Sequence, residues 1–169
     1  MSLSLFPVYR CKSTYDIPFE KLYEMGIRGA IFDVDNTLVC HNAPADDRAR
    51  CLFARLKKMG MGTCIISNNK EPRVKPFADV VGSPYVSRAG KPFPGGYRRA
   101  LQRMGIQDSQ AVFIGDQIYT DIWGANLAGI RSILVRPLGK EIEIQIKLKR
   151  ILEVPVLAMD RILHRSQEL

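Results

Sequence analysis

Ile31-Phe32-Asp33-Val34-Asp35-Asn36-Thr37-Leu38 is the stretch whose chemistry asks the most of its neighbours. An apolar run, Ala30 to Phe32, leads straight into two aspartates one residue apart and then a hydroxyl. A short apolar run bounded by polar residues reads as a buried strand. Carboxylates at the end of such a strand are desolvated and repel each other, so they are costly unless a cation or a proton sits between them. The partners for this pair must come from elsewhere in the chain.

Outward from this strand, apolar runs alternate with amphipathic segments. Before it, Asp16 to Gly26 predicts a short helix, with Ser13 or Asp16 as its cap, Pro18 in its first turn and Gly26 as its stop. After it, Asp46 or Asp47 caps a helix that runs to Lys58, with Ala49, Leu52, Phe53 and Leu56 at helical spacing. Gly62 to Ile66 is a second strand, stopping at Ser67-Asn68-Asn69. Glu71 to Val80 is a helix, Tyr85 to Ser87 a brief strand, Gly90-Lys91-Pro92 a loop, and Pro94 to Met104 a helix closed by Gly105. Ala111 to Ile114 is a strand broken by Gly115-Asp116, Thr120 to Leu127 a helix stopped by Gly129, and Arg131 to Val135 a further strand. Strands alternating with helices make a parallel sheet covered on both faces. The expected fold is α/β, a doubly wound three-layer sandwich with a central parallel sheet of about five strands. The stretches between the acidic pair, Ser67 and Lys91 are already filled by elements, which leaves no room for a large cap domain.

Residues 1–139 form the expected domain, including a docking segment in which Leu3, Leu5, Phe6 and Val8 surround Pro7. Residues 140–169 form a tail. There Ile142, Ile144, Ile146 and Leu148 alternate as in a strand, while Ile144, Leu148, Ile151 and Leu152 also fit a helix face. Pro155 breaks the run, and Val156 to Arg165 predicts a short amphipathic helix. The tail is expected to pack on the domain, on a dimer partner or on a membrane surface.

A length of 169 residues suits one domain with its own core, and 46% hydrophobic with 25% charged residues excludes a disordered or fibrous chain. No apolar stretch approaches the ~20 residues that span a bilayer, and a secretory signal is absent from the expected reading of the N-terminus. Cys11, Cys40, Cys51 and Cys64 form no CxxC pair, which weakens zinc and redox readings and fits a reducing, cytoplasmic setting. Net charge is +8, and residues 48–103 hold thirteen lysines and arginines against two acids. Such a basic region points to an anionic partner (nucleic acid, phospholipid head groups or a phosphorylated substrate), with a merely solvated face as the plain alternative.

The polar residues fall just after strands: Asp33 and Asp35, then Ser67, then Asp116. Open α/β sheets bind ligands outside the carboxyl ends of their strands, so these residues are expected to share one crevice with Lys91 and Asp121. Each is commonplace alone: a DxD in a turn, a serine or Asp121 capping a helix, a solvated lysine in a Gly-Pro loop. Together they are the parts of phosphoryl transfer, which needs a nucleophile in line with phosphorus, neutralised equatorial oxygens and a proton for the leaving group. A carboxylate can attack to form an aspartyl phosphate, and a second can serve as general acid and then general base. Asp33 and Asp116 offer hard oxygen ligands suited to Mg²⁺. Ser67 offers a hydroxyl and helix-start N–H groups to a phosphate oxygen, and Lys91 a point charge.

These motifs resemble those of the haloacid dehalogenase-like superfamily, and within it the IIIA-type, YqeG-like phosphatases related to mitochondrial and plastid phosphatidylglycerophosphate phosphatases. The likeness rests on Gly26-Ile27-Arg28-Gly29, Asp33-Val34-Asp35-Asn36-Thr37-Leu38, Ser67-Asn68-Asn69, Arg73-Val74-Lys75-Pro76-Phe77-Ala78, Lys91-Pro92, and Gly115 to Ile122 with Ala125 to Gly129. It covers roughly residues 5–137. The resemblance implies that Asp33 is the nucleophile and a Mg²⁺ ligand, and that Asp35 moves the protons while its backbone carbonyl meets the metal. It further implies that Asp116 binds the metal, that Asp121 supports it directly or from behind, and that Ser67, Asn68 and Lys91 hold the phosphoryl group. An acid two residues after the nucleophile also argues for ester chemistry on its own account, since a halide leaving group needs no proton.

An uncapped site excludes water poorly and admits a phosphate on a large or surface-bound molecule. The leading expectation is hydrolysis of phosphatidylglycerophosphate at a membrane surface, with the basic residues Arg48, Arg55, Lys57, Lys58, Arg73, Lys75, Arg98 and Arg99 helping to dock it. The alternatives are a phosphatase for protein, nucleic-acid ends or nucleotides, and, in another class, a non-catalytic RNA- or ribosome-binding module. The catalytic residue set and the lack of an aromatic-rich platform speak against nucleic acid.

Overall fold

The computed structural model describes residues 4–139, 152–160 and 166–169. Its strands are β1 (Tyr9–Cys11), β2 (Gly29–Phe32), β3 (Gly62–Ile66), β4 (Tyr85–Val86), β5 (Ala111–Gly115), β6 (Arg131–Val135) and β7 (Gln167–Glu168). They form one sheet of order β4-β3-β2-β5-β6-β1-β7, and every pairing is parallel. The helices are α1 (Phe19–Glu24), α2 (Asp47–Lys58), α3 (Glu71–Val81), α4 (Gly95–Met104) and α5 (Trp123–Leu127).

The two-residue alternation of β2 explains the three layers. Ala30 and Phe32 face a core shared with α1, α2 and α3, where Leu22, Leu56 and Phe77 are buried. Ile31 faces the opposite core, shared with α4 and α5, where Tyr97, Ala100 and Ala125 are buried. A strand buried on both sides needs apolar residues throughout, which is why this run does not alternate with polar ones. The Asp46 carboxylate caps α2 by accepting from the Ala49 N–H at 2.9 Å.

Among the described residues seven strands replace the five read from the sequence, because the two additions are only three and two residues long and leave no periodic signal. The segment read as a docking arm leads into β1, which lies between β6 and β7. The helix expected from Asp16 is also shorter. Thr14–Asp16 forms a single 3₁₀ turn capped by Ser13, Ile17 is extended, and α1 begins only after Pro18. Proline disfavours the helical region for the residue before it, so Ile17 interrupts the run. In the tail, residues 152–160 are helical through Pro155. The alternating segment Ile142 to Leu148 and the end of the expected last helix lie outside the described residues.

The basic middle of the chain is not one surface. α2 and α3 cover one face of the sheet and α4 the other. Half of the residues read as a docking flank are already paired: Arg48 with Asp46, Arg55 with Glu20, Lys75 with Asp79 and Arg73 with Asp35.

Candidate active site

From β2 the chain moves outward through β3 to β4, then crosses back to place β5 on the other side of β2. This reversal opens a crevice at the carboxyl ends of β2 and β5. Phe32 lies opposite Ile114, and the Asp33 N–H donates to the Ile114 carbonyl at 3.0 Å, so Asp33 emerges beside Asp116. Asp33, Asp116 and Asp121 are all buried, and an oxygen from each lies within 4.8 Å of the others.

Asp121 reaches this cluster through the wide helical turn Ile118–Ile122. Its Oδ2 accepts from the Gln117 N–H at 3.1 Å, and the Tyr97 hydroxyl donates to the Thr120 carbonyl at 2.7 Å, fixing the turn from outside. Gly115 makes room for it: a Cβ there would stand 2.6 Å from the Asp121 carboxylate. Asp121 thus joins the acidic cluster and does not cap α5, whose N-cap is Ile122. Thr37 donates from Oγ1 to Asp116 Oδ1 at 3.1 Å, and its own carbonyl accepts from the Thr14 hydroxyl at 2.8 Å.

Lys91 is the cation of the cluster. Its Nζ donates to Asp33 Oδ1 at 2.6 Å and to Asp121 Oδ1 at 2.7 Å, with a side chain only 5% exposed. The Asn68 amide clamps the Lys91 backbone from both sides, donating to its carbonyl at 3.1 Å and accepting from its N–H at 2.8 Å. Ser67 is buried next to it, its Oγ accepting from the Asn69 N–H at 3.1 Å.

Burial pushes the Asp33 carboxyl up to about 7, against the pull of the Lys91 ammonium and with a further push from Asp121. Burial opposes charge on Lys91 too, but Asp121 and Asp33 outweigh it and hold the ammonium above the ordinary lysine range.

The Asp35 carboxylate has partners outside this cluster. Asn36 takes a left-handed conformation (φ +63°) and its N–H donates to the Val39 carbonyl at 2.7 Å, turning the chain sharply after Asp35. The Asp35 carboxylate accepts from the Asn42 N–H, the Asn69 amide and Arg73 Nη2, each at 2.8 Å. The same Arg73 nitrogen donates to the Ala43 carbonyl at 3.0 Å. Arg73 and Asn69 are the residues that sequence reasoning missed, the first being read as surface charge. The signal was positional: α3 starts directly after the Ser67 loop, so its first turns must face the crevice.

Beside Asp116 opens a cavity of about 1140 Å³, lined among others by Ile118, Leu134, Val135, Arg136 and Leu157.

Three buried carboxylates against one buried lysine leave a net negative cluster of hard oxygen donors, which fits a divalent cation. Asp33 is protonated below about 7, and a cation must displace that proton. Because this pKa is raised above the unfolded value, its contribution to the metal-free fold is complete at low pH and is lost as pH rises through about 7. Divalent cation should therefore raise Tm more at pH 8 than at pH 6, as thermal melts with Mg²⁺ and with chelator will show.

A sequence profile of the haloacid dehalogenase-like hydrolases matches residues 40–129, the stretch that holds Ser67, Lys91, Asp116 and Asp121. The probable phosphatase YqeG of Bacillus subtilis (strain 168) is 40% identical over 129 residues, 76% of this chain and 75% of that protein. The chain belongs to the haloacid dehalogenase-like hydrolase family. With that membership comes its enzyme class, a phosphatase. The chloroplastic and mitochondrial phosphatidylglycerophosphate phosphatase 1 of Arabidopsis thaliana is 24% identical over 152 residues, 80% of this chain and 42% of that protein. The fold is similar to the cobalt-bound deoxy-D-mannose-octulosonate 8-phosphate phosphatase of Haemophilus influenzae, with a TM-score of 0.53 at 15% identity over 65% of this chain and 68% of the other.

Proposed function

We propose that this chain hydrolyses phosphomonoesters through an aspartyl phosphate on Asp33, with Mg²⁺ as its metal and phosphatidylglycerophosphate as its substrate. The observation that carries the mechanism is the separation of two nearly adjacent aspartates. Asp33 lies among Lys91, Asp116 and Asp121, whereas Asp35 is held by Asn69 and Arg73. Two carboxylates in different environments can take different roles.

Asp33, Asp116 and Asp121, with the Asp35 carbonyl, are the groups that would hold Mg²⁺; the ion supplies charge neutralisation for the phosphoryl oxygens. Lys91, Ser67 and the backbone at Asn68 bind and orient that group. An Asp33 oxygen attacks phosphorus, the bond to the leaving oxygen breaks, and Asp35 gives that oxygen its proton. Asp35, now a carboxylate, takes a proton from water as the water attacks the aspartyl phosphate. Phosphate leaves, and Asp33 and Asp35 return to their starting forms.

For the substrate, support comes from the large cavity beside Asp116, where apolar Leu134, Val135 and Leu157 mix with Arg136. The apolar part of that lining suits the aliphatic part of a leaving group; its charges are mixed, with Asp16, Asp116, Glu153, Asp160 and Glu168 beside Arg10, Lys12 and Arg136. The similarity to the Arabidopsis phosphatidylglycerophosphate phosphatase points the same way. The test is Mg²⁺-dependent phosphate release from a panel of phosphatidylglycerophosphate, a phosphopeptide, a 3′-phosphorylated oligonucleotide and nucleotides. The lipid should have the highest kcat/KM by at least tenfold, a margin of roughly 1.4 kcal/mol; equal or faster turnover of any other ester removes the lipid assignment.

A further inference from the structure

Phe93 has no part in the chemistry, yet it is the most exposed large apolar residue among those described, 74% exposed two positions after Lys91. The loop that carries it is laced to the one after β3: the Ala89 N–H donates to the Ser67 carbonyl and the Arg88 N–H to the Asn69 carbonyl, both at 2.9 Å. Phe93 is thus presented on a fixed support at the mouth of the crevice. The exposed cations Lys70 and Arg88 stand on these same two loops, and neither meets an acid among the described residues. On the β5 side of the mouth, the Tyr119 hydroxyl donates to the Leu152 carbonyl at 2.9 Å, bringing the C-terminal helical residues to the same end of the sheet. There Leu152 is 57% and Val154 61% exposed.

We infer that this rim is a membrane-docking surface, with Phe93 and Leu152 entering the head-group region of an anionic bilayer while Lys70 and Arg88 meet its phosphates. This rests on the lipid reading above and adds to it the face that approaches the substrate. An aromatic ring at the polar-apolar boundary and cations beside it are the combination that peripheral binding requires, since neither one chain's worth of apolar contact nor a few charges hold a protein alone. A nucleic acid would also accept the cations and one aromatic ring, but it gains nothing from aliphatic Leu152 and Val154. The basic flank is replaced by this smaller set: α2 and α3 lie on one face of the sheet and α4 on the other, whereas Lys70, Arg88 and Phe93 stand on the loops that follow β3 and β4.

The experiment uses the full chain with Phe93→Glu and, on the opposite side of the mouth, Leu152→Glu. Sedimentation is measured with vesicles of phosphatidylglycerol and phosphatidylcholine, and with phosphatidylcholine alone. The parent chain should bind the anionic vesicles, more weakly as salt rises, and each variant should bind about tenfold less. Turnover of soluble p-nitrophenyl phosphate should stay unchanged in both. Binding by both variants equal to the parent, or parental binding indifferent to lipid charge, overturns the proposal. So does parental retention by single-stranded RNA that Phe93→Glu abolishes while vesicle binding is absent. Phosphatidylglycerophosphate in detergent micelles separates the two claims. If the parent leaves it intact, the substrate reading fails while docking still stands on the vesicle data. If both variants hydrolyse it normally and bind vesicles normally, docking alone fails.

Discussion

Asp33→Asn should lose turnover of every phosphomonoester, by on the order of 10⁴-fold or more in kcat/KM, because an amide oxygen cannot replace the attacking carboxylate. Asp35→Asn should lose turnover selectively. Alkyl phosphates leave as alkoxides and need a proton; p-nitrophenyl phosphate leaves as a stable phenolate and does not. The ratio of the two kcat/KM values should therefore shift by about 10²-fold or more in Asp35→Asn, the usual worth of a positioned general acid. The parameter kcat/KM reports only steps up to phosphoryl transfer, so the second role of Asp35 shows separately, as a burst of p-nitrophenol followed by slow release of phosphate. Arg73→Ala should copy this leaving-group pattern in weaker form. It removes one of the three donors that hold the Asp35 carboxylate, and Arg73→Lys should restore only part, since a point charge cannot also keep the bond to the Ala43 carbonyl in the same geometry. Turnover that survives in pure Asp33→Asn protein, or an unchanged alkyl-to-aryl ratio in Asp35→Asn, contradicts these assignments.

The parts of this site that could be read in advance are those attached to strand ends. β2, β3 and β5 are apolar runs with abrupt polar stops, so the rule that parallel strands all point their carboxyl ends the same way puts Asp33, Ser67 and Asp116 at one end of the sheet. What could not be read depends on side-chain direction across loops. The turn at Asn36 sends Asp35 away from Asp33, and only that turn makes Arg73 a partner of Asp35 rather than a surface charge. Likewise Asn68 sits in a motif associated with phosphate, and its amide also clamps the backbone of Lys91. The short strands β1 and β7 fall below the length at which alternation carries information. Charge counts misled for a related reason: an excess of lysine and arginine says nothing of which face each occupies or which are already paired.

Lys91→Met is the substitution expected to cost most in stability. The Lys91 ammonium stands within 2.7 Å of both Asp33 and Asp121, with Asp116 in the same cluster and almost no solvent to screen any of them. Methionine keeps the volume but leaves three buried carboxylates facing one another. Breaking a buried pair by removing one partner costs about 3–5 kcal/mol, roughly 10 °C in Tm for a chain of this size. The loss should depend on pH in a stated direction. Lys91 is what draws the Asp33 carboxyl down, so without it the already raised pKa rises further. A raised pKa gives stability that is complete below the unfolded value and lost as pH climbs through the folded one. The variant should thus approach the parent near pH 5 and fall furthest behind above neutrality. Divalent cation should recover more Tm in the variant than in the parent, because it supplies the positive charge that methionine removed. It should not recover activity: a cation held by the carboxylates cannot also occupy the place from which Lys91 reaches the phosphoryl group. Melts of both proteins at pH 5 and pH 8, with Mg²⁺ and with chelator, decide it. If Lys91→Met melts with the parent at pH 8 in chelator, the lysine is not what keeps the aspartates together. Chemistry and folding meet in this one side chain, since the charge that balances the acids in the resting enzyme is the charge that a phosphate would share.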